Sequence, residues 1–231
     1  MDAIILAGGL GSRLQSSVPT LPKALAPILG RPFLTILLNK LKKEGIVSRV
    51  ILSLGYKAEA FISFLKEQKF DLPVLSSIET SLLGTGGGML LAMSKSRGDR
   101  VIVMNGDSFF DISLKAFFDF HSSHSADISI ACKEVDNTGR YGEVEIDPFC
   151  RIRSFKEKSP LSKKGWINGG LYIIEKKALD PFPLKELSLE REIFPALLEK
   201  KIYAYQQKGA FIDIGTKESY HKAQKVLQPW V

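Results

Sequence analysis

Three segments of the sequence carry side chains suited to phosphates and cations. The first is Leu6-Ala-Gly-Gly-Leu-Gly-Ser-Arg-Leu14, followed by Pro22-Lys23. Gly8, Gly9 and Gly11 carry no Cβ, so backbone N–H groups can approach phosphate oxygens closely. Arg13 and Lys23 add fixed positive charge. A lone glycine-rich turn also reads as a tight strand-to-helix connection; the basic pair is what makes this one specific. A dinucleotide-type GxGxxG starting at Gly9 would need glycine or alanine where Leu14 stands, and GxxxxGK[ST] occurs nowhere. The second segment is Asn105-Gly106-Asp107, directly after the apolar run Arg100–Met104. A carboxylate at the carboxyl end of a strand lies over the crevice where open α/β sheets bind ligands. Mg²⁺ prefers one or two such carboxylates together with phosphates and water. The third is Asp213 in Phe211-Ile-Asp-Ile-Gly-Thr216, a single carboxylate at the end of an apolar run. Asp107 and Asp213 both also read as turn residues; together they could complete a metal site.

Two further segments suit a sugar phosphate. Phe155-Lys-Glu-Lys158 offers a carboxylate, Glu157, for hydroxyls and a cation, Lys158, for a phosphate. Asn168-Gly169-Gly170 interrupts a strand where a ligand can come close. Their bland readings are a solvated charge cluster and a β-bulge. His121 and His124 stand three apart and His221 is distant, so the three or four ligands of a zinc site are missing. There is no GxSxG, Cys-His pair or HExxH, and hence no evident covalent nucleophile.

The elements that must hold these groups alternate. Apolar runs at Ala3–Ala7, Arg49–Leu54, Pro73–Ser76 and Arg100–Met104 read as strands. Between them lie helical spacings: one opened by Pro32 and closed near Gly45, one over Glu59–Lys66 with Phe61, Phe64 and Leu65 inward, one starting at Gly88 and one over Leu114–Phe120. This is the pattern of βαβ units on a mostly parallel sheet. Strand-like runs then crowd together at Asp127–Ala131, Gly142–Ile146, Ile152–Phe155 and Leu171–Ile174. Leu189–Leu198 reads as a helix capped by Ser188; Ile202–Tyr205 and Phe211–Ile214 are short strands, and Ser219–Val226 is a closing helix. The expected fold is α/β: a Rossmann-like core on one mostly parallel mixed sheet, with a small β-rich part. Residues 1–231 form a single domain.

Hydrophobic residues make up 45% and charged residues 25%, which excludes disorder, collagen and coiled coil. No apolar run approaches the roughly 18 residues of a membrane helix. The acidic start Met1-Asp2-Ala3 argues against a secretory signal. Two cysteines, Cys132 and Cys150, are too few for a disulfide framework. Both points place the chain in the cytoplasm. The net charge of +7 is scattered, with no Lys/Arg run longer than two. That suits anionic small molecules and argues against nucleic acid or a membrane as partner.

Six ordered motifs, Leu6–Leu14 with Pro22-Lys23, Gly84-Thr-Gly-Gly87, Asn105-Gly-Asp107, Phe155–Lys158, Asn168-Gly-Gly170 and Asp213-Ile-Gly-Thr216, resemble those of the sugar-1-phosphate nucleotidylyltransferases over nearly the whole chain. Leu83–Gly87, Tyr141–Glu145, Gly165–Gly170 and Ser188–Pro195 are most similar to the branch acting on GTP and D-glycero-α-D-manno-heptose 1-phosphate. The resemblance implies a reaction of NTP with a sugar 1-phosphate, giving an NDP-sugar and pyrophosphate. It implies that Arg13 and Lys23 hold the phosphates and that Asp107 and Asp213 hold Mg²⁺. Leu6, Gly8, Gly9, Gly11 and Ser12 would cradle the nucleotide, with Glu79, Gly84, Thr85 and Gly86 lining the base and ribose pocket. Gly142, Glu157, Lys158, Asn168 and Gly169 would contact the sugar phosphate. Residues 1–125 are then mainly the nucleotide half and 126–231 mainly the sugar half. Ser159-Pro160 departs from the commoner immediate proline after Lys158, which bears on the role of Lys158. Mannose 1-phosphate, another base, and an inactive sensing subunit are the competing readings; the oligomeric state, a homodimer included, stays open.

Overall fold

The computed structural model describes residues 1–11, 13–14, 18–156 and 163–231. The strands are β1 (Asp2–Leu6), β2 (Pro27–Ile28), β3 (Arg31–Pro32), β4 (Arg49–Leu54), β5 (Val74–Ile78), β6 (Arg100–Asn105), β7 (Ser108–Phe110), β8 (Ile128–Val135), β9 (Glu143–Ile146), β10 (Ile152–Lys156), β11 (Gly165–Glu175), β12 (Ile202–Gln207) and β13 (Phe211–Asp213). The helices are α1 (Phe33–Glu44), α2 (Ala58–Glu67), α3 (Gly84–Met93), α4 (Leu114–Ser123), α5 (Phe194–Ala196) and α6 (Lys217–Val226). Seven strands form one twisted sheet in the order β12-β8-β11-β6-β1-β4-β5. β1 runs parallel to β4 and β6, and β4 to β5. β11 is antiparallel to both β6 and β8, and β12 is parallel to β8, so β11 alone runs against the rest. The carboxyl ends of the parallel strands and the amino end of β11 therefore meet at one edge.

Burial on both faces explains the near-continuous apolar runs of the central strands. Ala3 and Ile5 pack with α1 and α4 residues such as Leu37 and Phe117, while Ile4 turns to the other face with Met89, Tyr172 and Phe194. Gly45, at φ +73°, ends α1 in the left-handed conformation that glycine adopts at least cost. In α2, Phe61 is fully buried, whereas Phe64 and Leu65 only pack against the core from partly exposed positions.

Two of the expected helices differ from the sequence reading. Helix α3 begins at Gly84, not at Gly88, so the glycine cluster forms its first turns. Helix propensity disfavours glycine there, but tertiary packing decides. A Cβ on Gly84 would stand 2.5 Å from the Leu187 carbonyl oxygen, and one on Gly87 would collide with the Lys185 carbonyl. Gly86 N–H donates to Leu187 O at 2.8 Å. The expected helix over Leu189–Leu198 is a π-helical turn, Leu189–Ile193, followed by the short α5. Ser188 caps it as expected, its Oγ accepting from Arg191 N–H at 3.1 Å. The wide turn brings Glu192 back to accept from Ser188 N–H at 2.7 Å.

Candidate active site

A cavity of about 750 Å³ opens at the edge where the strand ends converge. Its first wall is made largely of backbone. Leu6 ends β1, and the chain turns through Gly8 and Gly9 while Ala7 N–H donates to Ser53 O and Gly106 N–H to Leu6 O, both at 2.9 Å. Gly11 takes φ +60° beside Lys23, whose Cβ lies 3.2 Å from where a Gly11 Cβ would be. Leu6, Gly8, Gly9, Gly11, Arg13 and Lys23 all line the cavity; Ser12 lies outside the described residues.

Glu79, just beyond β5, also lines the cavity. Its Oε2 accepts from Leu83 N–H at 3.0 Å. Its Oε1 fills space left by Gly8 and Gly55: a Cβ on Gly8 would lie 3.0 Å from it, and one on Gly55 would overlap it. Gly88 of α3 leaves room on the far side. Burial pushes this carboxyl above the usual carboxylate range, against the lowering effect of the Leu83 N–H. Gly55 is an isolated glycine in the sequence and Gly88 reads there as a helix start, and neither gives a sign of the carboxylate it accommodates. Gly84 and Thr85 line the cavity. Gly86 does not; it is buried against Leu187 and Ile193, so its expected place in the base pocket is corrected to a packing role.

The carboxylates meet on the floor. Asp107 follows β6, and its Oδ2 accepts from Lys23 Nζ while its Oδ1 accepts from Ser108 Oγ at 3.0 Å. Strand β13 pairs with β7 so that Asp213 stands opposite Ser108, and Ile214 N–H donates to Asp107 O at 2.9 Å. Asp213 Oδ1 accepts from Gly215 N–H and, at 3.1 Å, from Arg140 Nη2. Asp107 and Asp213 side chains are 34% and 19% exposed and face the same cavity. No third His, Cys, Asp or Glu joins them among the described residues. Two carboxylates beside a space that can hold phosphates form a donor set that fits Mg²⁺.

The second wall comes from β11, the β9–β10 hairpin, the loop before β9 and the π-helical turn. Gly142, at φ +85°, and Asn168 line it. Asn168 Nδ2 donates to the buried Tyr172 hydroxyl at 3.0 Å, and its Oδ1 accepts from Gly170 N–H at 2.8 Å, at the β11 bulge. Gly169 does not line the cavity. A Cβ there would stand 2.6 Å from Phe110 Cδ1 and 2.8 Å from Ala131 O, so this glycine lets β11 pass its neighbours and its expected sugar contact is corrected. Glu157 and Lys158 lie outside the described residues. Lys156 lines the cavity and pairs with Glu145. Arg140, Tyr141 and Phe211 were missed as site residues, as were Glu190 and Arg191. Glu190 Oε2 accepts from Thr85 Oγ1 at 2.9 Å, and Thr85 Oγ1 accepts from Leu189 N–H, also at 2.9 Å. Thr85 lies in the Gly84–Gly87 motif and Glu190 in the Ser188–Pro195 segment of the sequence, and the Ser188 cap fixes the turn that carries Glu190.

The nucleotidyl transferase family matches residues 2–228. The D-glycero-α-D-manno-heptose 1-phosphate guanylyltransferase of Aneurinibacillus thermoaerophilus is 41% identical, with all of both chains covered. A mannose-1-phosphate guanylyltransferase of Mycobacterium tuberculosis is 36% identical over 95% of this chain and 62% of its own length. The crystal structure of HddC from Yersinia pseudotuberculosis complexed with GMP-PN is 38% identical, covers 98% of this chain and 99% of that one, and superposes with a TM-score of 0.88. Among the described residues no helix is long and apolar enough to cross a membrane. The chain belongs to the nucleotidyl transferase family and is a nucleotidyltransferase on the mostly parallel mixed sheet expected of it.

Proposed function

We propose that this nucleotidyl transferase moves a guanylyl group from GTP to D-glycero-α-D-manno-heptose 1-phosphate, releasing pyrophosphate. The observation that carries the reaction class to this chain's own residues is the convergence of Arg13, Lys23, Asp107 and Asp213 on one cavity beside the glycine loop. Displacement at the α-phosphorus needs alignment and charge neutralisation more than proton transfer. The attacking group is a phosphate oxyanion, so the absence of an evident side-chain nucleophile is no obstacle.

Arg13 would grip the triphosphate with its planar, permanently charged fork. Lys23 would leave Asp107 for the phosphate oxygens once they arrive, freeing that carboxylate. Asp107 and Asp213 would hold Mg²⁺, which when bound supplies charge neutralisation on the phosphates. Glu79 supports the choice of guanine, whose N1–H and exocyclic amine both donate. A carboxylate fixed by Leu83 N–H is an acceptor for such donors, and adenine, with an acceptor N1 and no amine at C2, would leave it unpaired along that edge. The heptose rests on the relatives' names; mannose 1-phosphate, the substrate named for the Mycobacterium tuberculosis relative, is the competing acceptor. The cytoplasm, where nucleotides are abundant, is the compartment this chemistry suits.

The test is a matrix of GTP, ATP, UTP and dTTP against manno-heptose, mannose and glucose 1-phosphates, read by pyrophosphate release. GTP with the heptose phosphate is expected to be fastest. Preference for a pyrimidine nucleotide would overturn the base, and a several-fold preference for mannose 1-phosphate would overturn the sugar.

A further inference from the structure

Arg140 lies in the loop that leads into β9, and its side chain lines the cavity between the two walls. It is held from three sides. Nη2 donates to Asp213 Oδ1 at 3.1 Å and to the buried Ser219 Oγ at 3.0 Å. The guanidinium stacks over the Tyr141 ring at 5.1 Å, and that ring meets Phe211 edge-on at 5.9 Å. Ser219 belongs to the Thr216 capping box that opens α6, so Arg140 is tied to a helix end as well as to a carboxylate.

Both hydrogen bonds use one nitrogen. Nε and Nη1 have no acceptor among the described residues, although the side chain is only 33% exposed. Both two-pronged edges of a guanidinium include Nη2, so one held there keeps N–H donors on Nε and Nη1 for an oxyanion, each as a single charge-assisted contact. Its neighbours fix which one. Tyr141 and Gly142 follow directly and belong to the wall opposite the glycine loop, while Asp213 stands beside the candidate metal carboxylate Asp107.

We propose that Arg140 binds the phosphate of the sugar 1-phosphate through an unmatched N–H donor while Nη2 holds Asp213 in place. One side chain then sets the distance between the attacking phosphate monoester and the metal carboxylate. This rests on the transfer reaction proposed above. Arg140 is thus a binding and positioning residue for the acceptor, distinct from Arg13 and Lys23 on the nucleotide wall.

The experiment compares wild type, Arg140→Lys and Arg140→Ala by pyrophosphate release. Each substrate is varied at saturation of the other, with mannose 1-phosphate and the heptose phosphate as acceptors. Loss of a charge-assisted hydrogen bond should raise the acceptor KM roughly 10- to 100-fold in the alanine variant. The GTP KM should move less than about threefold by the same arithmetic. Lysine restores charge but not the planar group fixed by Asp213 and Ser219, so its acceptor KM should fall between wild type and alanine. Calorimetric titration of the acceptor into the protein saturated with GMP-PN reads the same contact without turnover, and applies to the lysine variant if alanine does not fold. An unchanged acceptor KM, or equal rises in both KM values, would overturn the assignment. No pyrophosphate from wild type with any acceptor would instead overturn the reaction on which it rests.

Discussion

The two walls of the cavity are built by different means. On the nucleotide wall, glycines and backbone amides at the ends of β1, β4 and β6 do the shaping. Their positions are locked by sheet register, as in the pairing of Leu6 with Ser53 on one side and Asn105 on the other. On the sugar wall, loops and a hairpin carry the polar groups, and side-chain pairs hold them: Lys156 with Glu145, Lys163 with Glu143, Arg140 with Asp213, Thr85 with Glu190. The exposed ion pair among them, Lys156 with Glu145, contributes little stability. Apart from the Arg140–Asp213 pair, which belongs to the carboxylate floor, such pairs can be rewritten residue by residue without disturbing the sheet, whereas the glycine-loop wall cannot. Acceptor choice can therefore diverge while the phosphate chemistry stays fixed.

The largest effect should come where the walls meet. Asp107→Asn keeps the size and the Ser108 contact but removes the charge that balances Lys23 and would hold a cation. Turnover should fall roughly 100-fold or more, the scale of one well-placed electrostatic contact. The melting temperature should barely change, since the side chain is one-third exposed. Near-normal turnover with Mg²⁺ would remove Asp107 from the centre.

Gly55→Ala tests the backbone-built wall. The new methyl would overlap the Glu79 carboxylate and stand 3.0 Å from the Gly8 carbonyl oxygen. Both the glycine loop and Glu79 must shift, a strain of about 1–3 kcal/mol. The GTP KM should rise roughly tenfold or more on that scale, with the acceptor KM nearly constant. Equal changes in both constants would dissolve the distinction between the walls.

This contrast also explains what the sequence revealed. Strand ends announce themselves: an apolar run such as Arg100–Met104 stops at Asn105-Gly106-Asp107, and the position of Asp107 follows from sheet topology alone. Arg140 and Glu190 carry no such mark. Their placement depends on β13 pairing with β7 and on a π-helical turn packing on the start of α3, contacts between residues 73 and 105 positions apart. Glycines misled in both directions. Gly86 and Gly169 looked like ligand contacts but make room for Leu187 and Phe110, while Gly55 looked ordinary and makes room for Glu79.

Glu79→Gln should act more mildly than Gly55→Ala. The amide retains an acceptor oxygen for Leu83 N–H but loses the charge that two guanine donors would share. Discrimination of GTP over ATP should fall roughly five- to tenfold, the low end of the cost of one mismatched polar contact. Because burial raises the Glu79 pKa, the acid limb of kcat/KM for GTP should lie above that of an ordinary carboxylate. It should be lost in the glutamine variant. Unchanged base discrimination would mean that Glu79 only braces the Leu83 turn.

The smallest effect lies at the other end of the sheet, where α4 packs on β8 and the end of β11 away from the cavity. His121 of α4 is fully buried; its Nδ1 shares a hydrogen with Ser129 Oγ at 2.9 Å and its Nε2 meets Glu175 Oε1 at 3.2 Å. Arg100 donates to the same glutamate oxygen. Burial lowers the imidazole pKa below its ordinary 6.5; the hydrogen bond to Glu175 and the charges of Glu175 and Asp127 oppose this, while Arg100 adds to it. The folded protein thus takes up this proton at lower pH than the unfolded chain. The full contribution to stability is present above pH 6.5, and it falls as the pH drops below that value, because there only the unfolded chain is protonated. One such group can tilt stability by no more than about 1.4 kcal/mol per pH unit. Urea unfolding between pH 8 and pH 5 should show this extra acid sensitivity in wild type and a shallower slope in His121→Gln, whatever the variant's absolute stability. The variant's KM values for both substrates should match wild type, since none of these groups lines the cavity. Parallel slopes would show that His121 titrates alike in the folded and unfolded chains. A changed acceptor KM alone would show that the His121–Glu175 contact sets the geometry of the cavity from the far end of β11.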